Sequence, residues 1–381
     1  FDNLFPTSYP VNKGTDKPNL TETGTPNFLH VEGNSLFDTQ GNRVRLTGVN
    51  WFGFETKNLM LHGLWSRDYK SMLQQIVDLG FNCVRIPWSN QTLVQDDPDA
   101  LDISFTGTDP YTNESNMNAA LKGKNAFEIM TIVVEEAQSM GLKIILDNHS
   151  KVSDGYIVEG LWYTDKVSES QWISDWEMVA EHFKGYDAVV AMDLKNEPHF
   201  EATWGTGNVA TDWNTAAEKC GNAILSVNPD VLIMVAGVEG LNGTESVDRE
   251  RYWWGGNLMG VRETPIVLSN NEKLVYTPHE YGPEVHLQDW FKDPKFPSNM
   301  ENLWNDRFGF VANDGIGHLF IGEFGIKEYD ESSVSHLWFT KFLSYMKEHS
   351  DGYSFTYWAW NPNSSDTGGI LKNDWSEVNE W

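Results

Sequence analysis

Cysteine is nearly missing from this chain of 381 residues: only Cys83 and Cys220 occur. No disulfide framework can hold such a chain, so its core must come from apolar packing. Each of the two lies inside an apolar-periodic segment, the setting of a buried free thiol. Basic residues are scarce too, with 27 Lys and Arg against 55 Asp and Glu and a net charge of −28. A surface so acidic repels nucleic acid and anionic membranes and leaves a neutral polymer as an acceptable partner. No run of about 18 apolar residues occurs, so the sequence offers no transmembrane helix. Metal motifs are lacking as well. His279, Glu280 and His286 miss the two-turn His-Glu-x-x-His spacing of a zinc helix. Asp96, Asp97, Asp99 and Asp102 do not follow the order of an EF-hand loop and read as a solvated acidic loop. Neither a metal nor a cofactor is expected.

Apolar and aromatic residues are what the chain does have: 40% hydrophobic, 13% aromatic and 17 Trp, enough for a large core. Residues 1–27 carry Pro6, Pro10, Pro18 and Pro26 among polar residues and read as a tail or linker. Two short strand patterns, Phe28–Gly33 and Ser35–Val44, follow as a hairpin placed to close one end of the domain. From Val44 a unit repeats: apolar strand, loop, amphipathic helix, tight turn. The strand candidates are Val44–Trp51, Phe81–Trp88, Leu142–His149, Val189–Glu197, Val231–Val238, Lys273–Tyr281, His318–Glu323 and Tyr353–Trp360. Helical spacing is clear at Tyr69, Met72, Leu73 and Ile76, at Trp172, Trp176, Val179 and Phe183 behind a Ser168…Gln171 cap, and at Trp213, Ala217, Cys220 and Ile224. Eight strands alternating with helices predict an α/β fold, a (β/α)8 TIM barrel forming a single domain over residues 28–381.

Loop lengths tell which face works. Helix-to-strand joints are minimal, whereas long connections follow the strands at 89–124, 150–167, 198–210, 239–271 and 282–298. Long loops in a compact domain usually carry function, and all of these leave strand carboxyl ends. That rim offers Trp51, Arg85, His149, Asn196, Glu197, His279, Tyr281, Glu323 and Trp358. Two carboxyl groups at strand ends suit attack on a glycosidic bond, one protonating the leaving oxygen while the other attacks or activates water. Identical side chains must then hold different charge states. Arg85 and the Tyr281 hydroxyl are placed to keep Glu323 ionised, and its charge is expected to raise the pKa of Glu197.

These residues carry a resemblance. The chain resembles glycoside hydrolase family 5, the cellulase family, through Arg85 in Val-Arg-Ile-Pro, His149 in Leu-Asp-Asn-His, Asn196-Glu197-Pro198, His279-Glu280-Tyr281, Gly322-Glu323-Phe324-Gly325 and Trp358 in Tyr-Trp-Ala-Trp-Asn. The likeness runs from about Phe28 to Asp374. It implies Glu197 as acid/base and Glu323 as nucleophile of a retaining hydrolase. Asn196 would then bond the sugar 2-hydroxyl, His279 and Tyr281 would orient the pair, and Trp358 would floor the cleavage subsite. Gly48–Glu55, Tyr252-Trp-Trp-Gly-Gly256 and Asp366–Lys372 look most like the endo-1,4-β-glucanase branch, with Trp51, Trp254 and Lys372 as further substrate contacts. Trp88, Trp162, Trp204, Trp253 and Trp290 also lie at strand ends or in loops, where an indole can stack on a sugar face. Trp172, Trp176 and Trp338 sit at helical spacing and are expected in packing. The resulting expectation is a secreted, monomeric endoglucanase acting on a cellulose-like β-glucan. Mannan, xyloglucan or mixed-linkage glucan as substrate, and a non-catalytic carbohydrate-binding barrel, stand as alternatives.

Overall fold

Eight short strands, buried along nearly their whole length, pair in parallel and close on themselves. In chain order they are β4 (Thr47–Asn50), β5 (Cys83–Ser89), β6 (Lys143–Ser150), β7 (Val189–Asp193), β8 (Leu232–Val235), β9 (Leu274–Tyr276), β10 (His318–Ile321) and β11 (Tyr353–Tyr357), with β11 returning to pair with β4. This is a closed (β/α)8 barrel. The structure, a computed structural model, describes residues 26–247, 250–327 and 331–380. The tail expected at 1–27 therefore lies, but for its last two residues, outside the described residues.

Helices pack outside the barrel, and local chemistry sets where they begin. The helix α1 (Tyr69–Asp78) starts where Asp68 accepts from the Lys70 N–H, and α2 (Ala126–Ser139) starts at a reciprocal Asn125–Glu128 box. Ser168 accepts from Gln171 N–H to begin α3 (Glu169–His182). Then come α4 (Trp213–Val227), α5 (Met300–Trp304), α6 (Phe310–Asn313) and α7 (Val334–Glu348). Among the described residues the repeat has two exceptions, since no helix follows β11 and none follows β8. Between β8 and β9 the described residues contain only short 3-10 turns, at Gly243–Glu245, Met259–Arg262 and Asn271–Lys273. Gly255, Gly256, Gly260 and Pro265 interrupt any helical run there, and the segment builds an aromatic wall instead.

The expected hairpin is a three-stranded antiparallel sheet, β1 (His30–Glu32), β2 (Ser35–Phe37) and β3 (Arg43–Val44). Its Val31 and Leu36 pack with Leu46, Cys83, Ile145, Leu232, Val275 and Phe320, the apolar floor of the barrel interior. Lysines pin this plug: Lys273 Nζ donates to the Leu29 carbonyl at 2.8 Å and Lys143 Nζ to the Asn27 carbonyl at 3.0 Å. The opposite mouth, where the strands end, is left for the site. Cys83 and Cys220 are both free and buried.

Candidate active site

Above the apolar floor the barrel interior turns polar. Arg85 on β5 is fully buried, and its guanidinium makes four hydrogen bonds and ion-pairs with three carboxylates. Nε meets Asp193 at 3.0 Å, Nη1 meets Asn50 at 3.0 Å and Glu323 at 2.9 Å, and Nη2 meets Asn196 at 3.1 Å and Asp147 at 3.1 Å. Burial opposes this charge, but Asp147, Asp193 and Glu323 outweigh it and push the guanidinium pKa up. Burial likewise pushes Asp147 and Asp193 up to about 6, and the guanidinium keeps both from rising further.

The strand expected to run to Glu197 stops at Asp193, though the ladder carries on beyond it. Leu194 N–H donates to Met234 at 3.2 Å and Asn196 N–H donates to Asn148 at 3.0 Å. Glu197 then turns with φ +47°, a left-handed conformation uncommon for a side-chain-bearing residue, and Pro198 ends the extended run. Glu323 lies two residues past β10 and bridges to His279, with Glu280 N–H donating to its carbonyl at 3.1 Å. The fold thus brings together two glutamates distant in sequence. A carboxylate oxygen from each, with a ring nitrogen of His279, all lie within 4.8 Å of one another.

Their surroundings differ. Glu323 accepts from Arg85 at 2.9 Å and from the Tyr281 hydroxyl at 2.7 Å. Glu197 has no such cation against it. Burial pushes its pKa up to about 8; Arg85 and Lys195 pull it down, while Asp147 and Asp366 add to the rise. The high pKa of Glu197 therefore comes first from burial, not from the charge of Glu323 as the sequence reading expected. Burial also pushes His279 down to about 4, so its ring is neutral. Its Nδ1 stands 2.8 Å from Glu197 and 3.5 Å from Glu323. His149, pushed down to about 3 by burial, holds Nδ1 2.6 Å from Asp147 and lays its ring parallel to Trp358.

Both glutamates open into a groove of about 1030 Å³, the upper end of the range for ligand sites. Trp253, Trp254, Trp290 and Trp358 line it, with His149, Tyr281 and Asp366. Trp254 stacks face to face on His199 at 3.8 Å, and His199 Nδ1 donates to the Glu197 carbonyl at 2.5 Å. Asn196 offers its Oδ1 to Arg85, which leaves Nδ2 buried and without a protein partner.

Two expected sugar contacts need correction. Trp51 is fully buried, because the loop after β4 folds over it and its indole N–H donates to the His62 carbonyl at 2.9 Å. Lys372 is not among the groove-lining residues; its ammonium pairs with Glu377 at 2.8 Å on the surface. Trp88 and Trp162 are fully buried, and Trp204 is nearly so. Trp172, Trp176 and Trp338 are buried in packing as expected. The sequence reading missed Asp147, Asp193 and His199 as parts of the site. Strand alternation contained a signal for the first two, since a charged Arg85 facing a barrel interior requires counterions from its neighbouring strands.

Comparison with known proteins agrees with this geometry. Residues 37–364 match the sequence profile of cellulase (glycosyl hydrolase family 5). An endoglucanase of Paenibacillus polymyxa is 43% identical over 354 residues, 92% of this chain and 84% of its own length. The major extracellular endoglucanase of Xanthomonas campestris pv. campestris is 40% identical over 93% of this chain and 70% of its own. An endocellulase of Pyrococcus horikoshii, solved with cellotetraose, superposes with a TM-score of 0.83 at 38% identity, covering 93% of this chain and 96% of that one. Eight parallel strands, two glutamates at the mouth and a match across most of the barrel agree, and the chain belongs to glycosyl hydrolase family 5.

Proposed function

We propose that the protein is an endo-1,4-β-glucanase that hydrolyses internal bonds of cellulose-like glucans with retention, Glu197 serving as acid/base and Glu323 as nucleophile. The observation that carries this reading is the pair itself: two carboxyl oxygens within 4.8 Å across an open groove, one group cation-paired and the other pushed to about 8 by burial. Retaining enzymes hold their carboxyl groups about 5–5.5 Å apart, whereas inverting ones need about 6.5–9.5 Å to admit a water between.

The Glu323 carboxylate, paired with Arg85, attacks the anomeric carbon as protonated Glu197 delivers its proton to the leaving oxygen. The resulting glycosyl ester removes the charge of Glu323. Ionised Glu197 then takes a proton from the water that cleaves the ester. The unpartnered Asn196 Nδ2 supplies a donor for the sugar 2-hydroxyl, and Trp254 and Trp358 supply faces for pyranose stacking. The relatives support a β-1,4-glucan substrate, and the extracellular Xanthomonas enzyme supports secretion. A site complete within one chain supports action as a monomer.

Product stereochemistry and single replacements test the reading. Proton NMR of early digestion should show the β-anomer first; an initial α-anomer would overturn retention. Glu197→Gln and Glu323→Gln should each lose at least about a thousandfold in kcat on a soluble β-1,4-glucan. Full activity in either variant would remove that residue from its role, and faster turnover of mannan than of carboxymethylcellulose would overturn the substrate.

A further inference from the structure

Between His279, which bonds Glu197, and Tyr281, which bonds Glu323, stands a third acidic side chain that the chemistry above does not use. Successive residues of an extended segment face opposite ways, so Glu280 points out of the barrel toward the helices. It is fully buried there, with no salt bridge among the described residues. Its carboxylate is satisfied by three donors from three separate parts of the chain. Oε1 accepts from the indole N–H of Trp304 on α5 at 2.9 Å and of Trp338 on α7 at 3.0 Å. Oε2 accepts from the Tyr252 hydroxyl, in the loop after β8, at 2.5 Å. All three donors are buried.

We propose that Glu280 is a positioning residue: gripped by Tyr252, Trp304 and Trp338, it fixes the His279–Tyr281 segment and through it the orientation of both Glu197 and Glu323. An apolar side chain would fill this layer without the desolvation that a carboxylate incurs, so packing alone does not account for Glu280. Three convergent hydrogen bonds do account for it, because they set direction as well as contact. The lines from Glu280 to the site are short. On one side His279 Nδ1 reaches Glu197 at 2.8 Å, and on the other the Tyr281 hydroxyl reaches Glu323 at 2.7 Å. Glu280's own N–H holds the Glu323 carbonyl at 3.1 Å. Tyr252 precedes Trp253 and Trp254 in the groove wall, so the same carboxylate ties that wall to the reacting pair.

Glu280→Leu, Glu280→Gln and Tyr252→Phe test this. The measurement is kcat per active site, with sites counted by trapping on a 2-deoxy-2-fluoro-β-cellobioside that carries a dinitrophenolate leaving group. Counting trapped sites separates misplacement from loss of folded protein. Leucine should lower kcat per trapped site by at least about thirtyfold with KM within about threefold, as a displaced acid and nucleophile would. Glutamine should stay within about threefold of wild type: its oxygen keeps both indoles, and the Tyr252 hydroxyl turns to accept from its amide. Tyr252→Phe, which deletes one hydroxyl without changing volume, should cost about three- to tenfold and decides the matter if the leucine variant does not fold. Wild-type kcat per site in the leucine or phenylalanine variant, or a glutamine variant as slow as leucine, overturns the proposal. The inference rests on Glu197 and Glu323 as the acting pair. A wild-type enzyme that fails to trap would sink that reading, whereas normal trapping with unaffected variants sinks only this one.

Discussion

A β-carbon on Gly255 would stand 3.0 Å from the α-carbon of Glu197, so the loop bearing the groove tryptophans rests directly on the Glu197 backbone. Gly255 also holds φ +67°, where a side chain is strained whatever the space. Gly255→Ala therefore should push Glu197 off its left-handed turn. The expected outcome is a fall in kcat of about ten- to a hundredfold with a stability loss of only about 1–2 kcal/mol. Steady-state kinetics beside thermal unfolding checks it, and a variant that loses stability but keeps kcat would show that the close approach does not set the position of Glu197.

The raised pKa of Glu197 predicts how rate and stability vary with pH. In the proposed role Glu197 must be protonated, so kcat/KM should decline as pH rises through about 8. Asp366 pushes that pKa up, and Asp366→Asn should draw the alkaline limb downward by less than about one pH unit. For stability the sign is opposite to that of a salt-bridged carboxylate. The folded pKa lies above the ordinary 4.5, so the group's contribution is fully present below 4.5 and is lost as pH rises to about 8. Glu197→Gln escapes that loss. Its melting temperature should gain on wild type across this window and then level off, by an amount worth about 2–4 kcal/mol. A constant difference between pH 4 and 9 would refute the assignment.

Trp51 and Trp254 should fail in opposite ways when truncated. Trp51→Ala opens a cavity in the core and breaks the bond to His62, at a cost of about 3–5 kcal/mol. Trp254→Ala removes a half-buried groove platform from its seat on His199. It should raise KM for cello-oligosaccharides about ten- to a hundredfold, equivalent to about 1.4–2.8 kcal/mol of lost binding, while barely moving the melting temperature. Calorimetry and kinetics on the pair measure the contrast; a KM effect for Trp51 without destabilisation would reverse the two roles.

The barrel was readable because its signals are local. Each strand is a short run rich in apolar residues, each long helix has a 3.6-residue pattern, and unequal loop lengths mark the working mouth. Glu197, Glu323 and Arg85 were readable because strand carboxyl ends are where such folds place chemistry. Trp51 misled because a strand-end position does not reveal whether the next loop folds over it. The helix missing after β8 is only partly visible in the sequence: Gly255, Gly256, Gly260 and Pro265 weaken a helix there, but tertiary packing of Trp253 and Trp254 decides what replaces it. Glu280 had no sequence signal at all, since its three donors lie 28, 24 and 58 positions away.

The guanidinium of Arg85 is divided among Asp147, Asp193 and Glu323, so Glu323 receives only a share of one positive charge. A cation given to Glu323 alone would quench more of its reactivity and oppose any second positive centre nearby. The shared one leaves this layer ready for the charge that builds on the sugar ring as the bond breaks. In the proposed reaction, rate enhancement begins with an arginine spread thin before any substrate arrives.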